Sequence, residues 1–176
     1  MSVLLRYFMI VVACAALLAG MQLPGFADQY TKRIDAHLRE VTVNFLPYQE
    51  IANANTQGSI EALIELHRKS EVKVFQAEAG PIERMYKRKR RFEAEAQAMK
   101  TGLPERLIHI AFQADREILG ETVDQFSATV PLNQDALVMG AGAALTLLLL
   151  IELVLQLLRR LGQSVARWLN HRWHGA

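Results

Sequence analysis

Glu152 is the residue most open to a chemical reading, because it is a carboxylate inside an apolar run. The run covers residues 136–158, and only Glu152 and Gln156 break it. If the run crosses a bilayer, an ionised carboxylate there costs about 2.5–3.5 kcal/mol on insertion scales and needs a partner. Gln156 lies four residues on, on the same helical face. Arg6 interrupts a second apolar run, residues 3–23. If the two runs are antiparallel spans, depth matching sets Arg6 within about one helical turn of Glu152. The expectation is an Arg6–Glu152 pair, within one chain or between protomers. Such a pair can be a neutralised charge near the headgroups or part of a proton or ion relay. A relay needs a file of polar groups, and only Thr146 and Gln156 accompany Glu152, which favours the neutralised charge.

The other chemistry-bearing residues are less specific. The run Lys87-Arg-Lys-Arg-Arg91 spreads round a whole helix, but Arg84, Lys87, Arg88 and Arg91 share one face. That face suits anionic headgroups or an acidic partner. Read as an ordinary solvated helix, it is balanced by Glu83, Glu93 and Glu95. His37, His67, His109, His171 and His174 show no metal-ligand spacing. No nucleophile elbow, phosphate loop or dinucleotide fingerprint is present. Glu93 and Glu95 fall on different faces of one helix. Cys14 is the single cysteine, so no disulfide forms within the chain, and inside an apolar run it reads as a small apolar residue. The sequence therefore nominates no catalytic residue, no cofactor-binding residue, no metal ligand and no cofactor, and it reads as a non-enzyme.

The elements that carry these residues follow from composition. The chain has 176 residues, 20 Lys+Arg, 18 Asp+Glu, 51% hydrophobic residues and 22% charged ones. A mean hydropathy of +0.09 with so much charge means that the apolar residues are concentrated, and they lie at the two ends. A bilayer core of about 30 Å takes roughly 20 residues of helix, and a helix satisfies its own backbone there. Both runs meet that length. The first also resembles a signal peptide, with Arg6 before the apolar stretch and Gly25-Phe26-Ala27 as a cleavage site. Pro24 lies inside that site, so an uncleaved signal-anchor is the expectation. Ala16-x-x-x-Gly20 and Gly140-x-x-x-Ala144 are small-residue patterns that let helices approach closely in lipid, between the two spans or between copies.

Basic residues set the orientation. Arg159, Arg160, Arg167 and Arg172 follow the second span with no acid among them, while Glu117, Glu121, Asp124 and Asp135 precede it with Arg116 as the one base. Both termini are then cytoplasmic, and the middle segment is outside the cytoplasm. Residues 161–173 form an amphipathic stretch, with Leu161, Val165, Trp168 and Leu169 opposite Arg167, Asn170 and Arg172. Together with Arg159, Arg160, Trp168 and Trp173, this reads as a helix anchored on the membrane surface.

The middle segment, residues 24–135, nets about −2 and reads as helical throughout. Apolar spacing gives a helix over 28–45, closed by Pro47. A turn at 53–58 follows, then a helix over 59–69. A third helix starts at Gly80-Pro81 and is stopped by Gly102. A fourth runs from Pro104 to Pro131. The fold class is all-α: two transmembrane helices (1–23 and 136–158) flank an extracytoplasmic helical hairpin or bundle domain (24–135), and a basic interfacial amphipathic helix (159–176) follows. The first and last helices of the middle segment are expected to continue the spans outward.

The pattern Gln22-x-Pro24-x-Phe26-x-x-Gln29-Tyr30-x-x-Arg33-Ile34 follows an apolar N-terminal helix and is paired with a C-terminal Leu-rich span. In this the chain resembles the bacterial domain of unknown function family 2937. The resemblance covers nearly the whole chain. It implies a two-span protein of the proteobacterial envelope and supplies no catalytic residue. The reading is an inner-membrane protein, both termini cytoplasmic and its middle domain periplasmic, acting as a scaffold or interaction partner. The alternative is a subunit of an ion- or proton-conducting or transport assembly that uses Glu152. The partners expected are the lipid bilayer, a membrane or periplasmic protein, and in one form a second copy of the chain. The near-neutral charge balance argues against nucleic acid.

Overall fold

In the computed structural model, residues 3–127 and 133–173 are described, with side chains described for residues 6–127, 133–157 and 160. Among these there are six helices and no strand: α1 (Val3–Asn55), α2 (Ile60–Arg68), α3 (Lys73–Ala98), α4 (Leu103–Phe112), α5 (Arg116–Asp124) and α6 (Gln134–Trp173). The chain divides into two units. One comprises Met1–Gly25 with Ala128–Ala176, and the other is Phe26–Ser127.

In the first unit, α1 and α6 each contain a helix long and apolar enough to cross a membrane. Their windows are only 17% and 6% buried, respectively. A core helix of a water-soluble protein would hide most of such a surface. Here large side chains such as Leu145 and Leu149 face outward. The two helices meet at glycine. A Cβ placed on Gly20 would lie 2.7 Å from Ala143 Cβ, 2.8 Å from the Met139 carbonyl oxygen and 2.9 Å from Gly140 Cα. One on Gly140 would lie 2.5 Å from Met21 Cγ and 2.8 Å from the Leu17 carbonyl oxygen. The crossing is thus backbone against backbone, as small residues allow in lipid. Ala136, Gly140 and Ala144 form the covered face of α6. The expected tail helix is no separate element, because α6 runs unbroken to Trp173. The side chains of Arg159, Arg167, Trp168 and Trp173 lie outside the described residues, and Arg160 is exposed.

The second unit packs two apolar clusters along α1. Tyr30, Ile34 and Val41 meet Phe92 of α3, Met99 at its C-cap, Ile110 of α4 and Ile118 of α5. Further along α1, Phe45 and Ala52 meet Ile60, Leu63 and Ile64 of α2 and Ile82 of α3. The turn between α1 and α2 needs left-handed backbone, with φ of +53° at Gln57 and +86° at Gly58. Ser59 then caps α2 by accepting the Ala62 N–H at 3.1 Å.

Three helix boundaries differ from the sequence reading, and two of them involve proline. Pro47 does not close α1, which continues to Asn55. A proline inside a helix removes one hydrogen bond and crowds the preceding turn, at about 3 kcal/mol or more. Pro47 lies on the exposed side of α1, so water replaces the lost donor, while Phe45 and Ala52 on either side are buried. Pro81 likewise lies inside α3, which begins at Lys73. It too is exposed, next to buried Ala79 and Ile82. The third difference is a break in the helix expected from Pro104 to Pro131. Asp115 ends that helix's continuity by accepting the N–H groups of Glu117 at 3.0 Å and Ile118 at 3.2 Å, which makes it the N-cap of α5. This is standard N-cap chemistry for an aspartate. α5 ends at Asp124, and residues 128–132, including Pro131, lie outside the described residues.

Candidate functional site

The second unit holds a polar cluster on the apolar seam of α1. Tyr30 and Ile34 point into the core, so Arg33 and His37 flank that stripe at helical spacing. α3 contributes Arg88, Arg91 and Glu95, α4 contributes His109, and α5 contributes Glu117 and Glu121 together with its N-cap Asp115. The interior half of the cluster is Tyr30, Glu95 and His109. The Tyr30 hydroxyl donates to Glu95 Oε2 at 3.2 Å and accepts the Asp115 N–H at 3.0 Å. His109 Nε2 lies 2.8 Å from the same Glu95 oxygen. Tyr30 is fully buried and Glu95 nearly so. Burial, and then the neighbouring Glu95 charge, push the Tyr30 phenol well above its ordinary value. Tyr30 is therefore a fixed hydroxyl that ties the start of α5 to α3.

The outer half is a chain of ion pairs. His37 Nε2 lies 2.8 Å from Glu121 Oε2, and Arg33 reaches the same oxygen at 3.2 Å. Arg33 also donates to Gln125 at 3.0 Å. Arg88 binds Glu117 at 2.8 Å and lies 3.4 Å from His37 Nδ1. Arg91 pairs with Glu117 and, at 3.0 Å, with Asp115. The His37 hydrogen bond, and then Arg33, hold the Glu121 carboxyl below the usual carboxylate range.

His37, Glu117 and Glu121 offer three ligand atoms within 4.8 Å of one another. The donor chemistry does not fit a resident cation. Arg33, Arg88 and Arg91 already occupy these carboxylates, and a divalent ion would have to displace or repel three guanidinium groups. The arrangement is a clasp that binds α1, α3 and α5 together.

Arg84, Lys87, Arg88 and Arg91 do line one surface depression, of about 250 Å³. Two of the four, Arg88 and Arg91, are turned into the clasp, and Lys87 pairs with Glu83 at 2.7 Å. Two of the balancing acids, Glu83 and Glu93, are those of the sequence reading, and the third, Glu95, is not. Glu83 takes Lys87 and Arg68, and Glu93 takes Lys89 at 2.5 Å. Glu95 turns inward to Tyr30 and His109 rather than facing the basic run. Sequence reasoning missed Glu95 as a buried residue and His109 as its half-buried partner. The signal was present: Phe92 and Glu95 of α3 and Met99 at its C-cap are buried at helical spacing.

In the first unit, Arg6 and Glu152 form no ion pair within one chain. Glu152 is exposed, and its hydrogen bond is from Gln156 Nε2, a long one at 3.5 Å. Ala16 is half-buried, while Gly20 and Gly140 stand at the crossing of α1 and α6, with Ala144 buried beside it.

A family model described as "Protein of unknown function (DUF2937)" matches residues 4–164, and the chain belongs to that family. No curated protein and no solved structure matches it.

Proposed function

We propose that this is a membrane protein of the bacterial envelope, held in the inner membrane by α1 and α6 with both termini cytoplasmic. The unit from Phe26 to Ser127 then stands in the periplasm and works through contact with other proteins. The observation that carries the reading is the outward exposure of two span-length apolar helices, for which lipid is the natural solvent. A contact role is supported by the second unit itself. Its charged seam is paired internally, with the Nε of Arg33 left as a buried donor without a partner, so the seam serves to build the unit. Large apolar side chains remain on its outside, with Val43 64%, Leu46 54% and Phe112 82% exposed, which is the kind of surface that partners cover. Titration of Glu152 in a conducting assembly is the rival reading. Its discriminating variant is Glu152→Gln, which abolishes a relay and spares a contact protein.

A periplasm-active reporter fused after Asn55 tests the placement. Activity there is the expected result, and a silent reporter with an active one at the C-terminus overturns the topology. Purification of the full chain in mild detergent then tests the role. A stoichiometric companion protein that is lost on Phe112→Glu supports contact. Recovery of the chain alone, unchanged by that variant, refutes it.

A further inference from the structure

α6 has two seams. One is the covered face through Gly140 and Ala144, which packs on α1. The other runs through Val138, Gly142, Leu145, Leu149, Glu152 and Gln156, at intervals of four, three, four, three and four residues. At about 100° per residue this second stripe lies opposite the first. All six positions are exposed, and a Cβ on Gly142 would meet nothing within 4 Å. A repeat of alternating threes and fours is the spacing that packs two helices knobs-into-holes. The α1–α6 crossing does not use it.

The stripe also ends in two polar side chains that the hydrocarbon of a bilayer cannot satisfy. Glu152 is left with one long bond from Gln156, and Arg6 does not reach it. We infer that the outer stripe of α6 is the contact surface for a second copy of this chain, a parallel two-fold pair with Glu152 and Gln156 as its polar layers. Two features of the molecule select a copy over a foreign helix. First, copies inserted with one topology run parallel at equal depth, so the 3–4 repeat faces itself in register along its length. Second, the polar layers are self-complementary. Helical side chains lean toward the N-terminus, and Gln156 already reaches back to the depth of Glu152 on its own helix. The same reach brings its amide N–H to the partner's Glu152 carboxylate, while the two-fold axis returns the bond. Polar residues at such seam positions fix register and oligomer state.

The inference rests on α6 spanning the membrane, and the test separates the two claims. In full-length protein carrying Cys14→Ala, single cysteines are placed at Leu145 or Leu149 on the outer stripe, and at Ala143 or Leu147 on the inner seam. Membranes are oxidised and then washed with alkaline carbonate. Disulfide-linked dimers are expected at 145 and 149, with at most a tenth of that yield at 143 and 147. In the same membranes Glu152→Leu is expected to cut the 145 cross-link through association weakened about 5- to 30-fold, and Glu152→Gln is expected to retain it. Release of the chain by carbonate refutes the span. Retention with no dimer at 145 or 149, dimers at 143 and 147 instead, or a cross-link only to a protein of another mass refutes the copy-to-copy stripe. Subunit counting by stepwise photobleaching of the cysteine-free chain in nanodiscs gives a readout that does not depend on the cysteine variants: two steps support the pair, and one step overturns it.

Discussion

Removal of a single buried hydroxyl at Tyr30 should destabilise the second unit more than the same change at a half-buried tyrosine whose shorter hydrogen bond lies at the surface. Tyr30→Phe deletes an acceptor for the Asp115 N–H at 3.0 Å and a donor to Glu95 at 3.2 Å. Tyr30 has no solvent access, so water cannot replace either bond. The Asp115 N–H is left without its partner, and Glu95 keeps only His109. Loss of a bond to a carboxylate together with a stranded buried donor amounts to about 2–4 kcal/mol. For a unit of this size that lowers Tm by about 8 °C or more. Tyr86 offers the comparison. Its hydroxyl donates to Glu61 at 2.6 Å, a shorter bond, but at the surface. Tyr86→Phe should leave Tm within about 2 °C of the parent. The assay is thermal unfolding of the full-length protein in detergent, followed by far-ultraviolet circular dichroism. If Tyr86→Phe costs as much as Tyr30→Phe, then bond length rather than burial decides, and the account of the polar core fails. Alkaline pH gives a second arm. The Tyr30 phenol titrates higher when folded than its ordinary value of 10.0, so its contribution is complete below that pH and is lost as pH rises beyond it. Stability of the parent should fall above about pH 10, and Tyr30→Phe should show a flatter alkaline limb.

Further outcomes follow from the clasp, the span crossing and the core. The Glu121 carboxyl titrates below its ordinary value of 4.5 in the folded chain, so its contribution is present above that pH and is lost as pH falls toward the folded value. Glu121→Gln should therefore flatten the acid limb of a stability–pH profile, and an unchanged limb would show that His37 and Arg33 exert no net hold on it. Gly20→Ala forces its methyl against the Met139 carbonyl and Gly140 backbone. It should destabilise the span pair by about 1–3 kcal/mol, whereas Gly142→Ala enters open space and should change little. Detergent-dependent thermal unfolding of the two variants separates them, and equal effects would refute the backbone crossing. Phe92→Ala empties a fully buried position where α1 meets α3. It should cost about 3–5 kcal/mol, read as a lower urea midpoint with an unchanged slope, and a loss under about 1 kcal/mol would show that the seam is loosely packed.

How legible the molecule is depends on what each residue reports. Hydrophobic periodicity placed the helices over 28–45 and 59–69 because it reports burial, and burial is what α1 and α2 share with their neighbours. Proline misled because its cost is local, whereas its tolerance depends on position. Pro47 and Pro81 are on exposed sides, where water takes over for the missing N–H, and the side chains around them still pack. Only the packed structure distinguishes that case from a helix end. The small-residue spacing at Gly20 and Gly140 marked where two helices can approach, but it could not say whether the neighbour is α1 or another copy. Met139 and Ala143 pack against Gly20, so the inner face of α6 is used within one chain. Depth matching for Arg6 and Glu152 yields no pair within one chain for a related reason. Depth sets height along a helix and says nothing about azimuth. Glu152 belongs to the stripe on the far side of α6 from the crossing, so a charge on α1 at the same height does not meet it. Once the Gly140 face is fixed against α1, the 3.6-residue period alone carries Glu152 and Gln156 outward. Glu152 and Gln156 then face away from α1, and the absence of an Arg6 partner within one chain is what makes the outer stripe a statement about assembly.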